Sequence, residues 1–91
     1  MTVPVMEPTL SSQAATATPA NVVLFNDDVN TFPFVIRVLM HVVKVSAEQA
    51  QEFALTVHNS GRAVVFTGEL SKATDVAIAL SSAGLTAEVQ R

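Results

Sequence analysis

The 91-residue sequence contains one adjacent acidic pair, Asp27-Asp28, and Asn26 stands directly before it. Two carboxylates and an amide oxygen in a row offer several hydrogen-bond acceptors and negative charge, a set suited to holding a cation. The same tripeptide also reads as a plain turn that caps a following helix, because Asn and Asp side chains bond nearby backbone. Of the two histidines, His58 is spaced i, i+3, i+4 with Ala54 and Val57 and shares their helical face. An imidazole there also suits the negative end of a helix dipole without any further role. His41, within Met40-His41-Val42-Val43, reads as a solvated or internally satisfied histidine. Nothing supports enzymatic chemistry. The sequence has no cysteine, no H-x-x-x-H spacing and no G-x-S-x-G elbow, and its glycines (Gly61, Gly68, Gly84) punctuate elements instead of forming a phosphate loop. No metal or cofactor is expected.

These residues take their positions from the elements around them. Val22 to Phe25 is a short apolar run consistent with a buried strand, and Asn26-Asp27-Asp28 breaks it. Asn30 or Thr31 can cap a helix over Thr31–Val43, with Pro33 tolerated in its first turn. Ser46 and Gln49 form a capping box for a second helix, which carries the stripe Ala50, Phe53, Ala54, Val57 and stops at Gly61. A second strand follows over Arg62–Thr67, and Gly68 turns the chain. A third helical stripe runs from Leu70 to Ala83, closed by Gly84. Leu85, Ala87 and Val89 then alternate with polar residues, the period of a half-buried strand. The order β-α-α-β-α-β predicts an α+β sandwich, a three-stranded sheet with three helices on one face. If the second and third strands run parallel, the helix between them makes a right-handed crossover.

Residues 1–20 differ in composition: three of the four prolines, many small polar residues and one charge, Glu7. They predict a disordered N-terminal extension ahead of a single domain over residues 21–91. The net charge of −3 and the scattered basic residues make nucleic acid a poor partner. No apolar run reaches the length of a membrane span, and the N-terminus lacks the pattern of a secretory signal, so a cytoplasmic protein is expected.

The sequence resembles the ClpS family. The family's first block, a strand followed by N-D-D and an apolar helix, reads NDDVNTFPFVIRVL here (Asn26 to Leu39). Its second block, V-H, two variable residues and G-K/R-A, reads LTVHNSGRAVVF (Leu55 to Phe66), at matching spacing. The resemblance covers roughly Asn21 to Val89. It implies an adaptor that binds a protein's free α-amino group and its bulky apolar first residue (Leu, Phe, Tyr or Trp). The adaptor then delivers that protein to a ClpA- or ClpC-type AAA+ unfoldase.

By the resemblance, Asn26, Asp27, Asp28 and His58 hold the α-ammonium. Asn30, Phe32, Val35, Ala54, Val57 and Leu85 line the pocket for the first side chain. Glu69 faces the unfoldase, which also engages the N-terminal extension during delivery. The protein would work as a monomer, without membrane or nucleic acid. The sequence departs from the family at several pocket positions. Phe32 and Ala54 stand where methionine is common, Asn30-Thr31 replaces Thr-Pro, and Pro33 replaces an acidic residue. The competing reading is an assembly domain with a similar sandwich and no terminus-binding pocket, like the C-terminal domain of the ribosomal stalk protein. A small hydrolase is disfavoured by the missing nucleophile.

Overall fold

A computed structural model describes residues 19–91. The elements are β1 (Ala20–Phe25), α1 (Phe32–Val42), α2 (Ala47–Ser60), β2 (Arg62–Gly68), α3 (Leu70–Ser82) and β3 (Thr86–Gln90). Their boundaries follow from local chemistry. Thr31 caps α1, its hydroxyl oxygen accepting the Phe34 N–H at 3.3 Å, and Pro33 sits in the first turn where no helical hydrogen bond is lost. Ser46 caps α2 in the same way, accepting from the Gln49 N–H at 3.1 Å. Gly61 ends α2 at φ 90, a left-handed conformation that costs an L side chain roughly 1–2 kcal/mol. Gly68 has a different reason for being glycine. It is the last residue of β2, and a Cβ there would lie 3.0 Å from the Phe66 ring.

β1 is the central strand, in the order β2-β1-β3, and both neighbours pair with it antiparallel. The strands β2 and β3 are therefore parallel to each other with β1 between them, and the α3 crossover spans the central strand. The registers put Leu24 opposite both Ala63 and Ala87, and Val22 opposite Val89. A bulge between Val22 and Val23 gives β2 one extra residue, and Val65 stays in the core. The helices cover this face. Helix α2 rests on β2, α3 crosses all three strands, and α1 packs against α2 and α3. One hydrophobic cluster joins the layers, with Leu24, Leu39, Leu80 and Val22 its largest fully buried side chains. Among the described residues no polar or charged side chain is buried.

The first strand begins at Ala20, two residues before the expected run and one before the expected domain boundary. Ala20 is fully buried and pairs with Gly68, so it belongs to the fold and not to the extension. The rest of the expected extension, residues 1–18, lies outside the described residues.

Because the sheet and the helices share one apolar cluster, its deepest side chains carry the stability. Leu80→Ala is expected to lower the unfolding free energy by about 2–5 kcal/mol, measured by urea denaturation.

Candidate functional site

A cavity of about 300 Å³ opens where β1 ends, α1 begins and α2 stops. Leu24, Phe25 and Asn26 reach it from the end of β1, Asp27, Asp28 and Asn30 from the loop that follows, and Phe32 and Val35 from the first turns of α1. Helix α2 contributes Ala54, Val57 and His58, and Leu85 closes the far side from the α3–β3 turn. The sequence-based expectation thus gathers in one place: Asn26, Asp27, Asp28, His58 and all six pocket residues line the same space. Glu69 lies apart from it. It occupies the N-cap of α3 without capping a backbone N–H, and its carboxylate accepts the Ser71 hydroxyl at 2.8 Å.

Burial divides the lining in two. Ala54, Val57 and Leu85 are buried, while Asn26, Asp28 and His58 are exposed. The cavity therefore has an apolar interior and a polar rim. The small side chain of Ala54 leaves volume in the wall. Phe32 stands half-buried beside His58, their ring centroids 6.2 Å apart and nearly perpendicular at 86°. That edge-to-face contact restrains the imidazole at the rim.

The rim is held by two backbone features. The Asn26 N–H donates to the Gly61 carbonyl at 2.9 Å, which fixes the end of β1 against the end of α2 and brings Asn26 near His58's turn. Asp27 then organises the loop. Its Oδ1 accepts the N–H groups of Val29 and Asn30, both at 2.9 Å. The Asn30 side-chain amide donates to Oδ2 at 2.9 Å and Oδ1 at 3.2 Å, and also to the Gly84 carbonyl at 2.9 Å. Thr31, not Asn30, caps α1, standing in an extended conformation directly before the first helical residue, Phe32. Among the described residues no hydrogen bond engages the side chains of Asn26, Asp28 or His58. Leu24 and Phe25 were not anticipated in the lining. Their position as the last two residues before the Asn26 turn was the available signal.

The donors around Asp27 shift its protonation. The Asn30 backbone N–H is the largest influence, followed against it by burial, and the Asn30 side chain and Val29 N–H add to it, so the carboxyl lies below its ordinary value of 3.8. A pKa depressed in the folded state contributes stability that is present above the unfolded value and lost as pH falls through the folded one. Asp27→Asn is expected to destabilise the protein by about 1 kcal/mol at neutral pH, the hydrogen bonds being partly screened by solvent. The gap to the parent protein should narrow as pH falls below the ordinary value of 3.8, followed by denaturation at each pH.

Among the described residues no group of three His, Cys, Asp or Glu side chains is placed to hold a metal, and no helix is long and apolar enough to cross a membrane. Comparison with known proteins assigns the chain and its fold to a family. The family model for the ATP-dependent Clp protease adaptor protein ClpS matches residues 15–88. The ClpS adapter of Mycobacterium marinum is 37% identical over 82 residues, covering 89% of this chain and 80% of the relative. That of Corynebacterium efficiens is 32% identical over 92 residues, covering 97% and 91%. Against the Campylobacter jejuni adapters the match is 37% over 52 residues and spans about half the length of those relatives, 54%. The structure of Agrobacterium tumefaciens ClpS2 bound to L-phenylalaninamide superposes with a TM-score of 0.71 at 31% identity, covering 79% of this chain and 94% of that one. The chain belongs to the ClpS family, the adaptor proteins of the ATP-dependent Clp protease.

Proposed function

We propose that this protein is an adaptor that captures substrates by their N-terminal residue and delivers them to a ClpA- or ClpC-type unfoldase. The observation that carries the reading is the division within one cavity: an apolar interior of Val35, Ala54, Val57 and Leu85 under a rim of acceptors on Asn26, Asp28 and His58 that no side-chain hydrogen bond among the described residues engages. An N-terminal residue is the matching object, since it joins a side chain to an ammonium group with three N–H donors and a positive charge. The Asn26 oxygen and a His58 ring nitrogen accept from it. Asp28 supplies negative charge, and Asp27 adds to the field although its oxygens already hold the loop. An internal residue presents a neutral amide with at most one donor, and it leaves these acceptors unpaired.

The ligand of the Agrobacterium protein supports this chemistry. L-phenylalaninamide has a free α-amine, an apolar side chain and an amide where the next residue would begin. A buried Leu or Phe side chain contributes about 1.5–3 kcal/mol to such binding, which favours Leu, Phe, Tyr and Trp over small or charged first residues. Delivery would use Glu69 on the surface away from the cavity, together with the N-terminal residues that precede β1. The setting would be the cytoplasm and the adaptor a monomer. Family membership leaves the ribosomal-stalk-like assembly domain without a supporting observation.

Fluorescence anisotropy with labelled peptides that differ only in their first residue tests the reading. Leu and the aromatic residues should bind at least about tenfold more tightly than Val or Arg, and His58→Ala should weaken all of them by about tenfold or more. Indifference to the first residue would contradict it. In a reconstituted degradation assay, Glu69→Ala should slow turnover of a Leu-initiated reporter while peptide affinity stays unchanged. An unchanged rate removes Glu69 from the unfoldase surface.

A further inference from the structure

Two side-chain hydrogen bonds among the described residues join distant parts of the chain. One links Thr67 to Asn21 across neighbouring strands. The other runs from the Asn30 amide to the Gly84 carbonyl, at a sequence separation of 54 residues, and it lies at the cavity. We propose that Asn30 is a positioning residue that determines specificity: its side-chain amide straps the β1–α1 loop to the α3–β3 turn and sets the width of the cavity between Phe32 and Leu85. The inference rests on the cavity being the seat of the first side chain.

The geometry uses the whole amide group. An NH₂ has two protons. One is shared across the Asp27 carboxylate, at 2.9 and 3.2 Å, and the other goes to the Gly84 carbonyl at 2.9 Å. Each end of the strap adjoins a wall. Phe32 follows Asn30 by two residues, and Leu85 follows Gly84 directly, so outward movement of either wall strains or breaks the bond. Gly84 has φ 101 and no side chain of its own to brace the turn. Backbone bonds from the Gly84 and Leu85 N–H groups to the Ser81 and Leu80 carbonyls, at 3.0 and 3.1 Å, tie the turn to α3, and the Asn30 amide ties it to the β1–α1 loop.

The loop itself does not need the Asn30 side chain. Asp27 also accepts from the backbone N–H groups of Val29 and Asn30, and serine or aspartate at position 30 keeps both donors. Asn30 is not in the left-handed region either, so replacement brings no backbone strain. Serine keeps one donor for Asp27 and is too short to reach both partners. It separates loop formation from the strap.

The test compares peptides beginning with Leu and with Trp on the parent protein, Asn30→Ser and Asn30→Asp, with thermal melting of each variant. Asn30→Ser should weaken Leu binding by roughly fivefold, the worth of one hydrogen bond, and weaken Trp less, because a released wall admits the larger ring. The Leu-to-Trp affinity ratio should therefore fall while the melting temperature stays close to that of the parent. Asn30→Asp sets a second carboxylate against Asp27 and against the Gly84 carbonyl, and should lower the ratio further. An unchanged ratio in the folded Ser variant, or an equal loss for both peptides, overturns the strap. If the parent protein binds neither peptide, the reading of the cavity fails first and takes the strap with it. A parent that binds both with an unmoved ratio sinks the strap alone.

Discussion

Between the end of β1 and the start of α1 the chain must reverse direction in six residues, and the Asp27 carboxylate holds that reversal. It gathers two backbone N–H groups and the Asn30 amide onto its oxygens. Everything at the rim inherits its place from this turn. Asn26 precedes it, Asp28 lies within it, and Thr31 and Phe32 leave it in register to start α1. The Asn26 N–H on the Gly61 carbonyl then aligns the turn with the last turn of α2, where His58 stands. A loop without these bonds would sample many conformations, and each would scatter the acceptors that a small cation needs together.

The division of labour between the two carboxylates follows. Asp27 spends its acceptor capacity inside the protein, which depresses its pKa and keeps it charged. Asp28, exposed and without a partner among the described residues, is left to act outward. The rest of the molecule supplies stiffness. A single apolar cluster ties sheet and helices together with no buried polar side chain among the described residues, so the fold has no internal polar network to disturb when the rim engages a ligand. The rim is assembled from loop and helix-end residues carried on these packed layers.

Much of this was legible in the sequence because it is written in short-range terms. Period and punctuation located every helix and strand to within a residue or two: Ser46 before Gln49, Gly61 after the Ala50–Val57 stripe, the alternation of Ala87 and Val89. Most of the pocket residues fall in two motifs whose spacing resembles a family, Ala54 and Leu85 lying just outside them, and the fold brings them to one cavity. What escaped is long-range or geometric. Ala20 looked like the end of a Pro- and Ala-rich stretch, yet pairing with Gly68 buries it. Gly68 reads as the end of a strand where the chain turns, and the close approach of the Phe66 ring there is not visible in the sequence. The bond from Asn30 to Gly84 joins residues 54 apart, and no local pattern announces it. The helix α1 ends with Lys44 in the left-handed region, where sequence reasoning looks for glycine.

The proposed function requires the cavity to receive an α-ammonium together with its side chain. It is tested most directly by NMR titration with L-phenylalaninamide and with its N-acetyl derivative, which share the side chain and differ in the amine. The account predicts that the free amine shifts resonances of Asn26, Asp28 and His58 at the rim and of Ala54 and Leu85 inside, and that acetylation abolishes these shifts at the same concentration. Equal binding of the two compounds, or shifts confined to surfaces away from this cavity, would contradict it.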